Sequence, residues 1–283
     1  MNRLIGFFLM AIVCSCQLQA GVLNKLVGSF KKQCAPPPSI KILIEHDVNC
    51  IPLELTGKYS LYDPYLHSAI SSRFIGKCRP LQALNDGIKW GEAFPGLYQL
   101  KVTPDEPSSL MIVNGKTYEG SLYIYDIGGT ISIVNELSIE SYITHYLAGF
   151  PDYYLHPEVL AAVAIAARTN AYFAACNPKT NYWAINANQA SYAGQEGAPM
   201  EVAQAVYATR HMIMSQTGVY DKIATPFPAQ FDHLPAMSDV KQPQIAKIDL
   251  KEANQMAQSG AHAAQILARA FPGATIMLIY QNN

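Results

Sequence analysis

From Pro157 to Ala175 the chain reads Pro-Glu-Val-Leu-Ala-Ala-Val-Ala-Ile-Ala-Ala-Arg-Thr-Asn-Ala-Tyr-Phe-Ala-Ala, and nearly every face of a helix built from it is apolar. Proline suits the first helical position, where an N–H would have no intrahelical partner. A helix apolar all round must be buried all round, so this segment is predicted to be the centre of the fold. Arg168 and Thr169 interrupt it. A buried guanidinium has to be paired, so a carboxylate or several carbonyls are expected around Arg168, as a structural ion pair or as a ligand contact.

The rest of the chain arranges itself about that helix. Short alternating strands are predicted at Ile40 to Glu45, Tyr98 to Val102, Leu110 to Val113 and Ser121 to Ile127. Asn114-Gly115 and Gly128-Gly129 tolerate positive φ and should each close a tight hairpin, the second joining Tyr123-Ile124-Tyr125 to Ile131-Ser132-Ile133. Past Asn135 the period becomes helical: Tyr142, Ile143, Tyr146 and Leu147 share a stripe that stops near Gly149. A third helix is expected at about Met200 to Met214, then a Pro-rich loop or lid from Thr225 to Pro243. Asp249 and Glu252 resemble a capping box for a helix through Gln258, and a last helix runs from Ala261 to Ala270. The fold class is α+β: antiparallel strands and hairpins in the N-terminal half, a buried central helix and further helices in the C-terminal half.

The N-terminus reads as an address. Arg3, the apolar run Leu4 to Val13 and Leu18-Gln19-Ala20 before Gly21 have the form of a signal peptide over residues 1–20. Val13-Cys14-Ser15-Cys16 also has the form of a lipobox, which would end the leader at Ser15 and lipidate Cys16. Either places the protein outside the cytoplasm, in the periplasm or cell envelope, as a soluble or a lipid-anchored chain. No later run is read as approaching the roughly 20 apolar residues of a membrane span. Residues 21–39, with Pro36-Pro37-Pro38, read as a flexible lead-in, and residues 40–283 as the folded domain. Four cysteines follow the leader, Cys34, Cys50, Cys78 and Cys176, and four cysteines can pair in three ways in an oxidising compartment. None stands at a zinc-ligand spacing, so no metal and no cofactor is expected.

Composition narrows the partner. Half of the 283 residues are hydrophobic, and Lys+Arg 20 against Asp+Glu 21 leaves a formal charge of −1. With only 14% of residues charged, no basic footprint for nucleic acid exists. Seventeen tyrosines and ten phenylalanines suit a core or an uncharged, amphipathic ligand such as a sugar chain. No GxSxG elbow, HExxH, GxGxxG or GxxxxGK[ST] occurs, which removes support for serine hydrolase, zincin, dinucleotide and P-loop classes.

A series of short motifs resembles the stage II sporulation protein D and amidase-enhancer family. They are Val113-Asn114-Gly115 with Tyr118-Glu119-Gly120, Ile133-Val134-Asn135, Glu140-Ser141-Tyr142-Ile143, and Glu158-Val159-Leu160 running to Ala167-Arg168-Thr169-Asn170-Ala171. Tyr192 with Gly194, Ala205-Val206 with Thr209-Arg210, and Met256-Ala257, Gly260, Ile266-Leu267 and Pro272-Gly273 continue the match. The resemblance implies an exported protein that works on peptidoglycan, on glycan strands already stripped of stem peptides. The implied chemistry is lytic transglycosylation: one carboxylic acid protonates the glycosidic oxygen and then, as base, draws the muramic 6-hydroxyl onto C1. It equally implies, as an alternative, a non-catalytic activator of an amidase or a scaffold in division and envelope remodelling.

Against the family pattern, the catalytic Glu falls on Phe150, and a phenyl ring cannot donate a proton. The Ser-Gln of a C-terminal element falls on Asp249-Leu250, and a Cys-Gly-Gly is missing around Phe227 to His233. Asp152 is therefore the candidate substitute acid; its other reading is a turn aspartate capping the helix that starts near Pro157. Glu140 and Glu158 are read as structural, the first as the partner of Arg168 and the second as a charge at a helix N-terminus. His145, His156 and His233 are the remaining conceivable acids. A saccharide groove lined by Tyr142, Phe150, Tyr153, Tyr154 and Tyr192 would keep its stacking surfaces whether or not an acid is present.

Overall fold

A computed structural model describes residues 39–149, 155–190, 192–195, 197–217, 224–225, 227–231 and 247–279. Twelve strands come first: β1 (Ser39–Val48), β2 (Cys50–Leu55), β3 (Tyr59–Asp63), β4 (Ser68–Arg73), β5 (Lys77–Leu84), β6 (Gly87–Trp90), β7 (Glu92–Pro95), β8 (Gln99–Pro104), β9 (Met111–Val113), β10 (Lys116–Tyr118), β11 (Ser121–Ile127) and β12 (Thr130–Ser138). Then follow α1 (Ile139–Ala148), α2 (Pro157–Cys176), β13 (Ile185–Asn186), α3 (Met200–Ala208) and β14 (Met212–Thr217). The C-terminal part holds β15 (Ala224–Thr225), β16 (Gln230–Phe231), β17 (Lys247–Ile248), α4 (Leu250–Gln258), α5 (Ala263–Ala270) and β18 (Thr275–Leu278). The α+β class read from the sequence is what the chain adopts.

Among the described residues, one sheet has the order β13-β1-β12-β11-β8-β3-β4 and a second the order β10-β9-β2-β5-β6-β7. Their inner faces share one core, to which β1, β8, β11 and β12 give Ile42, Leu100, Val102, Leu122, Ile124 and Ile133, and the second sheet gives Leu53, Leu81, Ile88 and Met111. Trp90 is fully buried there and satisfies its indole N–H on the Leu53 carbonyl at 3.0 Å. Both predicted hairpins form. Val113 faces Lys116 across Asn114-Gly115, and Ile127 faces Thr130 across Gly128-Gly129. Asn114, Gly115, Gly128 and Gly129 all have positive φ, the condition these turns impose.

The central helix is as buried as its composition requires. Along α2, every residue from Ala162 to Tyr172 is buried, enclosed by α1, α3, α4, α5, β1 and β14. An 18-residue window of α2 has mean hydropathy 1.5, enough by length and composition to cross a membrane. This corrects the expectation that no such run follows the leader; 72% of that window is buried inside the protein. Helix α1 buries the expected stripe of Tyr142, Ile143, Tyr146 and Leu147. Its first turn is capped by the Ser138 hydroxyl, which accepts from the Ser141 N–H at 3.0 Å.

One further expectation is corrected. The third helix ends at Ala208, not Met214, and the chain re-enters as strand β14 through His211 at φ 65°. On β2 and β5 Cys50 faces Gln82 while Cys78 faces Glu54, so these two cysteines are not opposed. Cys34, the leader and most of the Pro-rich segment lie outside the described residues.

Candidate functional site

The residues of the quoted motifs converge on the junction between the strand half and the helices. Arg168, with no solvent exposure, donates from Nε and Nη2 to the two oxygens of Glu140 at 2.9 and 2.8 Å. The same guanidinium reaches the Val206 and Met212 carbonyls at 3.2 Å and the Thr209 hydroxyl at 3.4 Å. One side chain thus ties α1, α2, α3 and the start of β14. Thr169 adds a second tie: its hydroxyl donates to Ile165 O at 2.7 Å and accepts from the Met214 N–H at 2.8 Å. Both readings of Glu140 and Arg168 as structural partners hold.

On the strand side, fully buried Asn135 donates to the Glu119 and Ser121 carbonyls at 2.8 and 3.2 Å and accepts from the Tyr192 hydroxyl at 2.8 Å. Gly194, at φ 104°, lies against Thr117 O and the Tyr118 ring, where a Cβ would come within 2.5 Å of the carbonyl. Tyr192, Tyr142 and Tyr146 then form a row of rings: 5.7 Å between the first two centroids and 5.5 Å between the stacked Tyr142 and Tyr146. Tyr118 flanks one end at 6.2 Å and Phe231 the other at 6.4 Å. Burial pushes the Tyr118 hydroxyl up to about 12 and the Tyr142, Tyr146 and Tyr192 hydroxyls higher still. Among the described residues, the Tyr142 and Tyr146 hydroxyls are buried with no hydrogen-bond partner.

Of the five residues expected to line a saccharide groove, Phe150, Tyr153 and Tyr154 lie outside the described residues, as does Asp152. Tyr142 and Tyr192 are brought together, but they are 0% and 5% exposed, so their ring faces meet other rings rather than solvent. The helix cap considered for Asp152 is supplied by His156, whose Nδ1 accepts from the Glu158 N–H at 3.3 Å. Glu158 does more than oppose its own helix dipole, accepting the Ala263 N–H at 2.7 Å at the start of α5. His233 also lies outside the described residues.

Sequence reasoning missed the partner of His145. At the rim of the tyrosine row, Glu119 meets His145 Nε2 at 2.7 Å and accepts the Ser141 hydroxyl at 2.8 Å. The hydrogen bond to His145, helped by Ser141 and opposed by burial, holds the Glu119 carboxyl below its usual range. A lowered carboxylate pKa contributes stability that is complete above the unfolded value of about 4.3 and is lost as pH falls through the folded value. Glu119→Gln should therefore unfold at lower denaturant than the unaltered chain at pH 7, and the difference should shrink as pH falls below the unfolded value of about 4.3; a gap that stays unchanged throughout the acid range of the folded protein would remove this account.

The fold and its polar ties define an α+β domain in which motif residues weld a two-sheet half to a helical half. Residues 128–215, which include Asn135, Glu140, Arg168, Thr169, Tyr192 and Gly194, match the model of the family described as stage II sporulation protein, SpoIID. The match bears out the resemblance read from the motifs that lie within these residues. An uncharacterized protein of Chlamydia pneumoniae is 34% identical over 176 residues, 60% of this chain and 63% of that protein. An uncharacterized protein of Chlamydia muridarum is 30% identical over 172 residues, 60% of this chain and 59% of that one. The matched stretch thus spans about six tenths of these relatives' length. No solved structure matches the chain.

Proposed function

We propose that this protein remodels the cell wall by binding peptidoglycan glycan strands stripped of their stem peptides, outside the cytoplasm. The observation that supports this most is the SpoIID match over residues 128–215, a stretch that contains the buried ties around Arg168 and Asn135. Cleavage, where the chain performs it, uses Asp152 as the acid in place of the glutamate that became Phe150. A carboxyl held against aromatic side chains has a raised pKa, which a general acid requires near neutral pH.

Stripped strands incubated with the full chain and with Asp152→Asn, then analysed by mass spectrometry, test both parts. Expected are retained strands with either protein, and 1,6-anhydromuramic ends only with the unaltered chain. Retention without anhydro ends makes the protein a binder; loss of retention overturns the reading. A second reading, an amidase activator or scaffold, is favoured by one surface. Tyr65 and Leu66 at one end of the edge strand β4, and Phe74 and Ile75 at its other end, are 66% to 84% exposed, and exposed apolar side chains at a sheet edge are what a partner would cover.

A further inference from the structure

The outward face of the larger sheet carries a groove that neither the motifs nor the tyrosine row accounts for. Alternation puts Ile42, Leu100, Val102, Leu122 and Ile124 in the core, so Lys41, Lys101, Thr103, Ser121, Tyr123 and Glu136 take the opposite face. Register lines them up: Lys41 opposes Glu136 and Glu136 opposes Ser121, while in the next rung Val134, Tyr123, Lys101 and Tyr62 follow one another across four strands. The loop after α2 forms the wall, where the Tyr182 ring meets Tyr125 edge-on at 4.8 Å. The hollow encloses about 510 Å³, and a second one of about 360 Å³ continues it, sharing Lys41, Asn181 and Tyr182.

Its charges are unequally matched. Lys101 donates to Glu136 and to the Tyr123 hydroxyl, both at 3.0 Å, and is thereby committed. Glu136 also accepts from Ser39 at 3.4 Å. At the far rim, Asp63 is turned into its own bend, accepting the Tyr65 and Leu66 N–H groups. Lys41 is left over: its ammonium lies 4.0 Å from the centre of the Tyr123 ring and is given no hydrogen-bond acceptor or ion pair among the described residues. Burial lowers the Lys41 pKa, the Glu136 charge working against that and the Lys101 charge with it. A half-buried ammonium that touches only a π face gains from a carboxylate brought in by a ligand.

We propose that this groove is a binding site for an acidic saccharide, whose sugar rings lie against Tyr123 and Tyr182 and whose carboxylate is held by Lys41. Ring C–H faces suit the tyrosines, and sugar hydroxyls suit Ser121, Thr103, Gln99 and Asn181, the lining of a site that takes amphipathic rather than purely apolar ligands. Muramic acid in stripped glycan and a uronic acid present the same chemistry. The choice of muramic acid rests on the function proposed above; the groove itself does not.

Calorimetric titration of the full chain separates the two. The probes are stripped strands, the same strands with their carboxyls methyl-esterified, a uronate-containing oligosaccharide and neutral chitohexaose. Esterification is expected to weaken binding about tenfold, the value of one charge-assisted hydrogen bond. In Lys41→Gln the acid and ester forms should bind alike. Tyr182→Ala, a change at an exposed ring, should weaken every bound saccharide about tenfold at unchanged melting temperature. If both variants bind like the unaltered chain, the groove proposal falls while the glycan reading stands. Uronate bound through Lys41 without any affinity for stripped strands supports the groove and overturns the glycan reading. Failure to bind any of the saccharides overturns the groove.

Discussion

Arg168→Ala is expected to lower the free energy of unfolding by about 4 kcal/mol, enough to drop the melting temperature by roughly 10 °C in a domain of this size. The change removes the bidentate pair with Glu140 and four hydrogen bonds, to Ala164, Val206, Met212 and Thr209, so three carbonyls, a hydroxyl and a carboxylate lose a donor at once. A cavity the size of the guanidinium remains where no solvent reaches. Arg168→Lys should recover little, because one ammonium cannot span the Glu140 fork and reach the α3 and β14 carbonyls together. Glu140→Gln should cost less, about 2 kcal/mol, since the Glu140 side chain is one-third exposed and water can replace part of what Arg168 loses. Guanidinium unfolding measures all three; a cost under about 1 kcal/mol for Arg168→Ala would mean that the clamp is not what joins α1, α2 and α3.

The same clamp explains why one helix boundary was illegible. Tyr207-Ala208-Thr209-Arg210-His211-Met212 contains no glycine or proline, and a helix continued to Met214 is the natural reading. What stops it is tertiary. After the turn closed by Met212 N–H on Thr209 O, Arg168 binds the Met212 carbonyl and Thr169 binds the Met214 N–H, so the chain past Ala208 is tied to α2 instead of continuing the helical ladder. Strands β2 and β5 escaped notice for a local reason: each contains a proline, Pro52 and Pro80, and the two sit opposite one another. The hairpins at Asn114 and Gly128 and the buried helix were legible because turn chemistry and an unbroken apolar circumference each admit one solution. Of the expected groove lining, Tyr142 and Tyr192 are buried, while Phe150, Tyr153 and Tyr154 lie outside the described residues. Tyr142 and Tyr192 are aromatic and carry hydroxyls, but alternation and helical period say only that a residue is inward, not whether a cleft reaches it. On β11 the same alternation did point outward at Tyr123 and Tyr125, and that signal, two aromatics on the face away from the core, was there to be read.

Asn135→Leu should cost about 3 kcal/mol, because at this fully buried position a side chain of the same heavy-atom count but without donor or acceptor would leave the Glu119 and Ser121 carbonyls and the Tyr192 hydroxyl unpaired. Tyr192→Phe alone should cost about 1 kcal/mol, the net value of one buried hydrogen bond. The double variant carries the sharper expectation. Once Asn135 is gone, the Tyr192 hydroxyl is a stranded polar group, and deleting it removes a penalty rather than a bond. Asn135→Leu/Tyr192→Phe should therefore be more stable than Asn135→Leu by about 1 kcal/mol, a reversal of sign for the tyrosine change. Additive costs in denaturant unfolding would show that Tyr192 finds another partner when Asn135 is lost. The Tyr142 and Tyr146 hydroxyls, buried with no partner among the described residues, predict the contrary behaviour: Tyr146→Phe should be neutral or stabilising in the free chain. A loss of stability there would mean that a bound water already satisfies the pair. The motif tyrosine that is paired is thus expected to answer to stability, and the unpaired ones to whatever enters beside them.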